Sequence, residues 1–368
     1  MKGVRGRILL LSASLALALV LAEAGVRRFN PQPLNILYLR RDGVLTHVPG
    51  IDTMLQGLET RARVRTNRDG LRDVERPRAK PPGVARVLVL GDSMVEGLQV
   101  DLPETTPKRL ERALSEALPG RRIDVINAGV SGSSAPFALA YLEKDGLAYD
   151  PDVVVATFTA RNDIDEAADA GIRVRSHLYE LKAWLRSRFH LYSLVQRAID
   201  ADDRLRNALA LLGLVDPART ARPRPGGPGA MNREALQYDG QPSVTEARGY
   251  DRLFASWDGI LSRCRSRGIP VLFVLLPSFY QVTRDPGALG DPSWLAAVVK
   301  NDRAPQDRVL TFLSARGAPV VDPLPRARSR GRSLYFPKDQ HFSPAGNAFV
   351  ARETAREILE RGWLSQLR

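Results

Sequence analysis

Short apolar runs that alternate with helical segments constrain the fold of this chain more than any other feature. The runs are rich in valine, leucine and isoleucine and cover residues 86–90, 123–126, 152–158, 269–276 and 318–321. A strand that is buried on both faces of a parallel sheet has this continuous apolar pattern. The alternation therefore predicts an α/β fold, a doubly wound three-layer α/β/α sandwich around a five-stranded parallel sheet.

The segments between the runs carry helix signals. Leucine and alanine recur at helical spacing over residues 110–118, with Thr106 as a candidate N-cap and Pro107 in the first turn. Ser343 and Pro344 begin a last helix, which is expected to end near Glu360. Helices of this kind would cover both faces of the sheet.

One long segment interrupts the alternation between the third and fourth runs. It is far longer than a single crossover needs, so we predict an insertion at about 165–245. An apolar stripe at helical spacing comes first and contains Leu178, Leu181, Leu185, Phe189, Tyr192, Val195 and Ile199. Residues 216–230, rich in proline, glycine and arginine, are predicted to form a loop. Two interpretations stay open: a lid or membrane-facing flap, or extra helices with no role at the site.

The N-terminus has the pattern of an export signal. Basic residues precede an uncharged apolar run over residues 8–22, and the pair Arg27 and Arg28 follows it. We expect residues 1–26 to form a single-pass signal anchor, with the body of the protein outside the cytoplasm. The alternative is cleavage near Ala22 and Ala24, which would leave a secreted or periplasmic protein. Residues 27–83, interrupted by several prolines, are predicted to be an extended arm or linker.

Composition narrows the possible partners. The chain has 54 Lys and Arg against 41 Asp and Glu, a net charge of +13, which favours anionic partners such as phospholipid headgroups or acidic polysaccharide. Nucleic-acid binding is disfavoured because no basic block is interleaved with aromatic residues. Cys264 is the one cysteine, so an intrachain disulfide is excluded.

Polar motifs follow the predicted strands at the points where they end. Ser93 comes after the first strand, Gly132 after the second and Asn162 after the third, while Asp339 and His341 precede the last helix. The carboxyl ends of parallel strands meet at one edge of a sheet, where ligands bind. Each motif alone is equally typical of a simple turn. Together they predict a site at that edge.

In this order the motifs resemble the four blocks of the SGNH/GDSL hydrolase family, named for Ser, Gly, Asn and His. The resemblance extends from about residue 84 to the C-terminus apart from the insertion, and implies a hydrolase domain at 84–368 with a flavodoxin-like SGNH fold. The upstream segment from Asn67 to Arg72 also resembles one that precedes this domain in membrane-anchored members. Two departures stand out: Ala160 replaces a family glycine, and one residue instead of two separates Asp339 from His341. The shorter spacing leaves open whether Asp339 orients the base.

The chemistry of ester cleavage assigns roles to these residues. A serine hydroxyl needs an adjacent base, and of the four histidines only His341 follows a sheet-edge motif beside a carboxylate, Asp339. The resemblance implies three oxyanion-hole donors: the backbone N–H groups of Ser93 and Gly132 and the side-chain amide of Asn162. Two carboxylates flank these motifs and are expected to support the loops: Asp92 and Asp163. No cofactor and no metal are expected, because no His, Cys and Glu cluster has metal-ligand spacing.

The resemblance implies a serine esterase that hydrolyses acyl esters. Together with the export signal and the basic composition, it makes O-acetyl groups on an envelope or exported polysaccharide the expected substrate. The same triad would serve an O-acyltransferase, a lipase or a thioesterase, since the acceptor and acyl chain depend on pocket shape. A rival hypothesis from another class is a non-catalytic, membrane-anchored carbohydrate-binding or assembly protein. The sequence leaves the oligomeric state open.

Overall fold

The computed structural model of the chain describes residues 2–32, 34, 38–41, 44–57, 59–160, 162–168, 177–201, 204, 208–209, 242–284 and 301–364. The helices and strands in chain order are α1 (Lys2–Phe29), β1 (Tyr38–Arg41), β2 (Val44–His47), β3 (Asp52–Gln56), β4 (Arg61–Arg65), β5 (Val84–Gly91), α2 (Ser93–Glu96), α3 (Thr106–Ala117), β6 (Arg122–Gly129), α4 (Ala135–Lys144), β7 (Val153–Thr159), α5 (Asp163–Ala168), α6 (His177–Arg188), α7 (His190–Ala201), α8 (Val244–Arg265), β8 (Val271–Leu276), α9 (Phe279–Thr283), α10 (Ala304–Ser314), β9 (Val320–Val321), α11 (Leu324–Arg330) and α12 (Pro344–Glu360). The chain divides into two units, residues 1–37 with 176–223 and residues 38–175 with 224–368.

The central sheet of the larger unit has five parallel strands in the order β6-β5-β7-β8-β9. All five apolar runs of the sequence form its strands, so the predicted doubly wound α/β fold is confirmed. Gly91 at the end of β5 pairs in register with Gly129 at the end of β6. The loops that follow these two strands therefore leave the sheet at the same level.

Alternating side chains of the strands build a core on each face of the sheet. Val87 and Val89 of β5 join the core that α3, α11 and α12 cover, whereas Leu88 and Leu90 join the core under α4, α5, α8 and α10. Trp257 of α8 is 1% exposed and packs against Phe158 and Phe273, with ring centroids 6.0 and 4.9 Å away. Burial of this kind contributes about 25 cal/mol per Å2 of apolar surface, which accounts for the continuous apolar runs.

Two antiparallel hairpins, β1-β2 and β3-β4, occupy the segment that the sequence predicted to be an extended arm at 27–83. In β4 the outward positions are arginines, while Ala62 and Val64 are buried. Val44 and Leu71 belong to the same core as Leu88 and Leu90 of the sheet. The hairpins are therefore part of the larger unit, and the expectation of an extended arm is corrected. Their strands of four or five residues are too short to show as periodic segments.

The smaller unit contains α1 and the helices α6 and α7. The apolar stretch Gly6–Phe29 of α1 has a mean hydropathy of 2.2 and is long and apolar enough to cross a membrane. The predicted stripe of the insertion forms two helices with a break at Phe189, because Glu23 accepts hydrogen bonds from the backbone N–H groups of His190 and Leu191 at the start of α7. The loop predicted at 216–230 lies outside the described residues.

Candidate active site

Ser93 is the first residue of the one-turn helix α2, directly after β5. The preceding Asp92 is the N-cap, and its Oδ1 accepts a hydrogen bond of 3.0 Å from the backbone N–H of Met94. Gly91 permits the close packing of β5 against Thr157 and α2, because a Cβ there would lie 2.3 Å from Oγ1 of Thr157 and 2.4 Å from Cγ2 of Val95. The local sequence thus places a half-buried serine hydroxyl at the edge of the sheet.

The structure brings His341 and Asp339 to this serine from the far end of the chain. Nε2 of His341 lies 2.9 Å from Oγ of Ser93, and Nδ1 of His341 lies 2.6 Å from Oδ1 of Asp339. Both distances are within hydrogen-bond range. Gln340, between the two, has a left-handed φ of 66°, which turns the chain sharply and accommodates the one-residue spacing.

The loop that carries Asp339 is held on two sides. Its base is closed by a bridge between Tyr335 and Phe342. From the β3-β4 hairpin, Oε1 of Glu59 accepts hydrogen bonds from the backbone N–H groups of Lys338 and Asp339, at 2.5 and 2.7 Å. Burial alone would raise the pKa of Asp339, but the hydrogen bond and charge of His341 outweigh it and lower the pKa. Asp339 is thus ionised beside the imidazole at neutral pH.

The other two predicted blocks lie on the loops after β6 and β7. Gly132 has a left-handed φ of 75°, which favours glycine, and the loop starts with a hydrogen bond of 3.1 Å from the N–H of Val130 to the carbonyl of Gly91. Nδ2 of Asn162 donates to Oε1 of Glu166 at 2.8 Å, which uses one of the two N–H groups of its amide. Ala160, at the family's glycine position, is fully buried and its methyl group is part of the apolar core.

The two supporting carboxyl groups, Asp92 and Asp163, are both buried and line a common cavity of about 10 Å3, roughly the volume that one water needs. Oδ2 of Asp163 accepts a hydrogen bond of 2.8 Å from the backbone N–H of Thr159. Burial raises the pKa of Asp92, and burial together with the charge of Asp92 raises the pKa of Asp163 well above its usual range. A pair of this kind retains a proton where separate carboxyl groups would both ionise.

Sequence reasoning missed a second polar network beside the nucleophile. Glu96, the last residue of α2, is fully buried; its Oε1 lies 2.9 Å from Nε2 of His47, and its Oε2 accepts hydrogen bonds from the N–H and Oγ of Ser131 at 2.6 and 2.5 Å. Arg72, also fully buried, donates to the carbonyl oxygens of Glu96, Gly97 and Val100 at 2.8, 2.6 and 2.5 Å. Burial lowers the pKa of Arg72 to about 10.

The only sequence signal for this network was the resemblance of the segment from Asn67 to Arg72 to one found in membrane-anchored family members. Among the described residues, no group of three or more His, Cys, Asp or Glu could hold a metal ion. The site therefore offers a hydroxyl, an imidazole and a carboxylate in contact, with two glycine- and amide-bearing loops at the same edge. Such an arrangement can activate an oxygen nucleophile.

One family model and several solved structures match the chain. The family model described as "GDSL-like Lipase/Acylhydrolase family" matches residues 89–349. Among solved structures, a lipase/acylhydrolase from Enterococcus faecalis is 16% identical over 75% of this chain and 96% of that chain, with a TM-score of 0.38. Axe2, an acetylxylan esterase from Geobacillus stearothermophilus, is 14% identical over 74% of this chain and 94% of that chain, with a TM-score of 0.39. No curated protein matches the chain significantly.

Proposed function

Because the chain belongs to the GDSL-like lipase/acylhydrolase family and is a carboxylic ester hydrolase, we propose that Ser93 is its nucleophile, His341 its base and Asp339 the residue that orients the base. The separation of 2.9 Å between Oγ of Ser93 and Nε2 of His341 is the observation that carries the proposal. A hydroxyl at neutral pH becomes a useful nucleophile only when a base can take its proton during attack. The same separation favours catalysis over the non-catalytic binding protein.

The reaction would proceed through an acyl-enzyme. Oγ of Ser93 bonds to the acyl carbon while its proton passes to Nε2 of His341, and Asp339 stabilises the imidazolium that forms. The N–H groups of Ser93 and Gly132 and the amide of Asn162 would receive the negative carbonyl oxygen. Collapse expels the alcohol, which takes the proton from Nε2. Water then attacks the acyl carbon while its proton passes to Nε2 of His341. Collapse of this intermediate releases the carboxylic acid, and Oγ of Ser93 takes the proton back from Nε2.

Two buried carboxyl groups support this machinery in the proposal. Asp92 fixes the start of α2 through its hydrogen bond with Met94, and so orients the N–H of Ser93. Asp163 fixes the end of β7 by accepting a hydrogen bond from the backbone N–H of Thr159, three residues before Asn162. Both act on backbone near a proposed oxyanion donor rather than on the substrate.

For the substrate we propose O-acetyl groups on an envelope or exported polysaccharide. The net charge of +13 suits an acidic glycan, and the apolar helix α1 suits a protein that works at the cell envelope. Acetate release from an acidic O-acetylated polysaccharide should exceed release from a neutral one at equal acetyl content. Equal release from both, or release only from long-chain esters, would contradict this substrate class.

We also propose that α1 remains attached as a membrane anchor. The helix continues without a break past Ala22 and Ala24 to Phe29, whereas a signal peptidase cleaves a segment in extended conformation. Cleavage after Ala24 would also remove Glu23, whose carboxylate accepts the N–H groups of His190 and Leu191 at the start of α7. N-terminal sequencing of the membrane fraction should find α1 intact; a sequence that starts at Glu23 or Gly25 would contradict retention.

The direct test of the proposed function is hydrolysis of p-nitrophenyl acetate by the full chain in detergent. Ser93→Ala should lower kcat by more than about 10³-fold, because both the bond-forming atom and the proton donor are lost. Ser115→Ala is the matched control, since this exposed hydroxyl donates only to the carbonyl of Glu111 within its own helix. A Ser93→Ala variant within tenfold of the unsubstituted chain would refute the proposal.

A further inference from the structure

We propose that His47 and Glu96 are positioning residues that hold the loop of Ser131 and Gly132 in place for oxyanion stabilisation. The hairpin β1-β2, which lies before the catalytic sheet in the sequence, would then be a working part of the active site. The inference deepens the proposed function and rests on the role of Gly132 as an oxyanion donor.

Glu96 lies on the same short helix as the proposed nucleophile. Helix α2 has four residues, begins with Ser93 and ends with Glu96. Oε2 of Glu96 receives both the backbone N–H and the hydroxyl of Ser131, the residue that precedes Gly132. One side chain therefore ties the helix that carries the nucleophile to the loop that carries a proposed oxyanion donor. The relative position of these two groups decides whether the donor meets the developing charge.

Close packing leaves this contact little freedom. A Cβ at Gly129, the last residue of β6, would lie 2.4 Å from the backbone nitrogen of Glu96 and 2.8 Å from the carbonyl carbon of Val95. The end of β6 is thus pressed against α2, and the loop to Gly132 is only a few residues long. Arg72 fixes the same end of α2 through its hydrogen bonds to the carbonyl oxygens of Glu96 and Gly97.

His47 stabilises the buried carboxylate of Glu96. A carboxylate that is 0% exposed is unstable without a partner, and Nε2 of His47, also 0% exposed, lies 2.9 Å from Oε1. Despite burial, the nearby His47 and the hydrogen bonds from Ser131 lower the pKa of Glu96. The Glu96 carboxylate that accepts the hydrogen bonds of Ser131 therefore remains ionised.

The structure also fixes the histidine itself. Its backbone N–H donates to the carbonyl of Gly70 at 2.9 Å, and its ring packs against Tyr38 with centroids 5.0 Å apart. A Cβ at Gly70, where φ is +75°, would lie 2.3 Å from the carbonyl oxygen of His47. The turn around Gly70 and β2 thus present the imidazole to Glu96 in one orientation.

The test compares His47→Phe and His47→Gln in the full chain with p-nitrophenyl acetate. His47→Phe keeps the ring but removes the nitrogen that faces Glu96, and kcat should fall about 10- to 100-fold while KM stays within about threefold. His47→Gln returns an amide N–H near the position of Nε2 and should recover most of kcat. The inhibition constant of phenylboronic acid, which forms a tetrahedral adduct with an active serine, should rise in parallel with the loss of kcat.

Arg86→Met is the matched control for a purely structural effect. Arg86 is fully buried near the start of β5, at the opposite end from the site, and donates to the carbonyl oxygens of Arg78 and Tyr149 at 2.9 and 2.6 Å. This variant should lower the unfolding temperature without changing kcat per folded molecule. If His47→Phe does not fold, Glu96→Gln takes its place, with the same expected loss of kcat.

The outcomes separate the two proposals. A chain that does not hydrolyse the ester at all, or a Ser93→Ala variant that still does, overturns the proposed function. An active chain whose folded His47→Phe or Glu96→Gln variant keeps kcat and boronate affinity within threefold overturns the positioning role alone. Loss of kcat in His47→Gln equal to that in His47→Phe also overturns it, because the donor would then not matter.

Discussion

The Asp339→Asn variant measures how much of the proposed catalysis depends on the charge beside His341. In the transition state the imidazole is protonated, and its Nδ1 lies 2.6 Å from Oδ1 of Asp339. Two unit charges with centres about 4 Å apart interact by about 4 kcal/mol at an effective dielectric constant near 20. The Asp339 side chain is 18% exposed, so solvent screening leaves about 3 kcal/mol, or about 10²-fold in rate.

The asparagine also affects the tautomer. Its amide can donate to Nδ1, which favours the imidazole with a proton on Nε2, and that nitrogen can then no longer accept the proton of Ser93. With both effects, kcat for p-nitrophenyl acetate should fall by about 10³-fold and KM should change little, because Asp339 acts through His341. Asp307→Asn is the control. It removes an exposed carboxylate of α10 that pairs with Arg303, the N-cap of that helix, and should leave kcat unchanged.

A loss of kcat smaller than tenfold in a folded Asp339→Asn variant would refute this reasoning. The base would then be oriented by another group, and the Asp-x-His spacing would have no catalytic meaning. Near-ultraviolet circular dichroism of both variants provides the check that the fold is intact.

Three further predictions concern the supporting structure. Because the pKa of Asp163 is raised, the folded state keeps a proton that the carboxyl group of the unfolded chain loses above its ordinary pKa of about 3.9. Stability therefore falls as the pH rises from that value toward the higher pKa of the folded state. Asp163→Asn should therefore raise the unfolding temperature relative to the unsubstituted chain more at pH 7.5 than at pH 4, as measured by calorimetry of both proteins at each pH. An equal difference at both pH values would contradict this. Gly129→Ala should lower the free energy of unfolding, measured in urea, by about 1–3 kcal/mol and should also lower kcat, because its Cβ would lie 2.4 Å from the backbone nitrogen of Glu96. An unchanged kcat would show that α2 can shift without affecting catalysis. Arg72→Met leaves three carbonyl oxygens without their donor and should lower the free energy of unfolding, measured in urea, by about 3 kcal/mol or more. A decrease below about 1 kcal/mol would contradict this prediction.

The sheet was predictable from sequence because burial on both faces requires a continuous apolar run. Strands such as Val84–Gly91 and Val153–Thr159 satisfy that requirement with little ambiguity. The parallel arrangement then brings the strand ends to one edge, so the proximity of Ser93 to the other motifs follows from topology. The last helix begins after its predicted cap, Ser343, whose Oγ accepts a hydrogen bond from the N–H of Gly346.

Contacts between distant segments could not be predicted in this way. The N-cap of α3 is Thr105 rather than Thr106, because Oδ1 of Asn347 in α12 accepts the N–H and hydroxyl of Thr106. No spacing rule relates a histidine to a glutamate that follows it by a whole hairpin and a strand, so the pair of His47 and Glu96 emerges only when the chain is folded. Strand β4 was likewise missed, because arginines occupy every second position and give this half-buried strand the composition of a charged linker.

Covalent labelling of the full chain by a fluorophosphonate tests the central claim most directly, since the reagent reacts only with a serine that a neighbouring base activates. The account predicts a single adduct by intact-protein mass spectrometry, mapped to the peptide that contains Ser93, absent in Ser93→Ala and strongly slowed in His341→Ala. An unlabelled native chain, or an adduct that persists in Ser93→Ala, would contradict the assignment of the nucleophile.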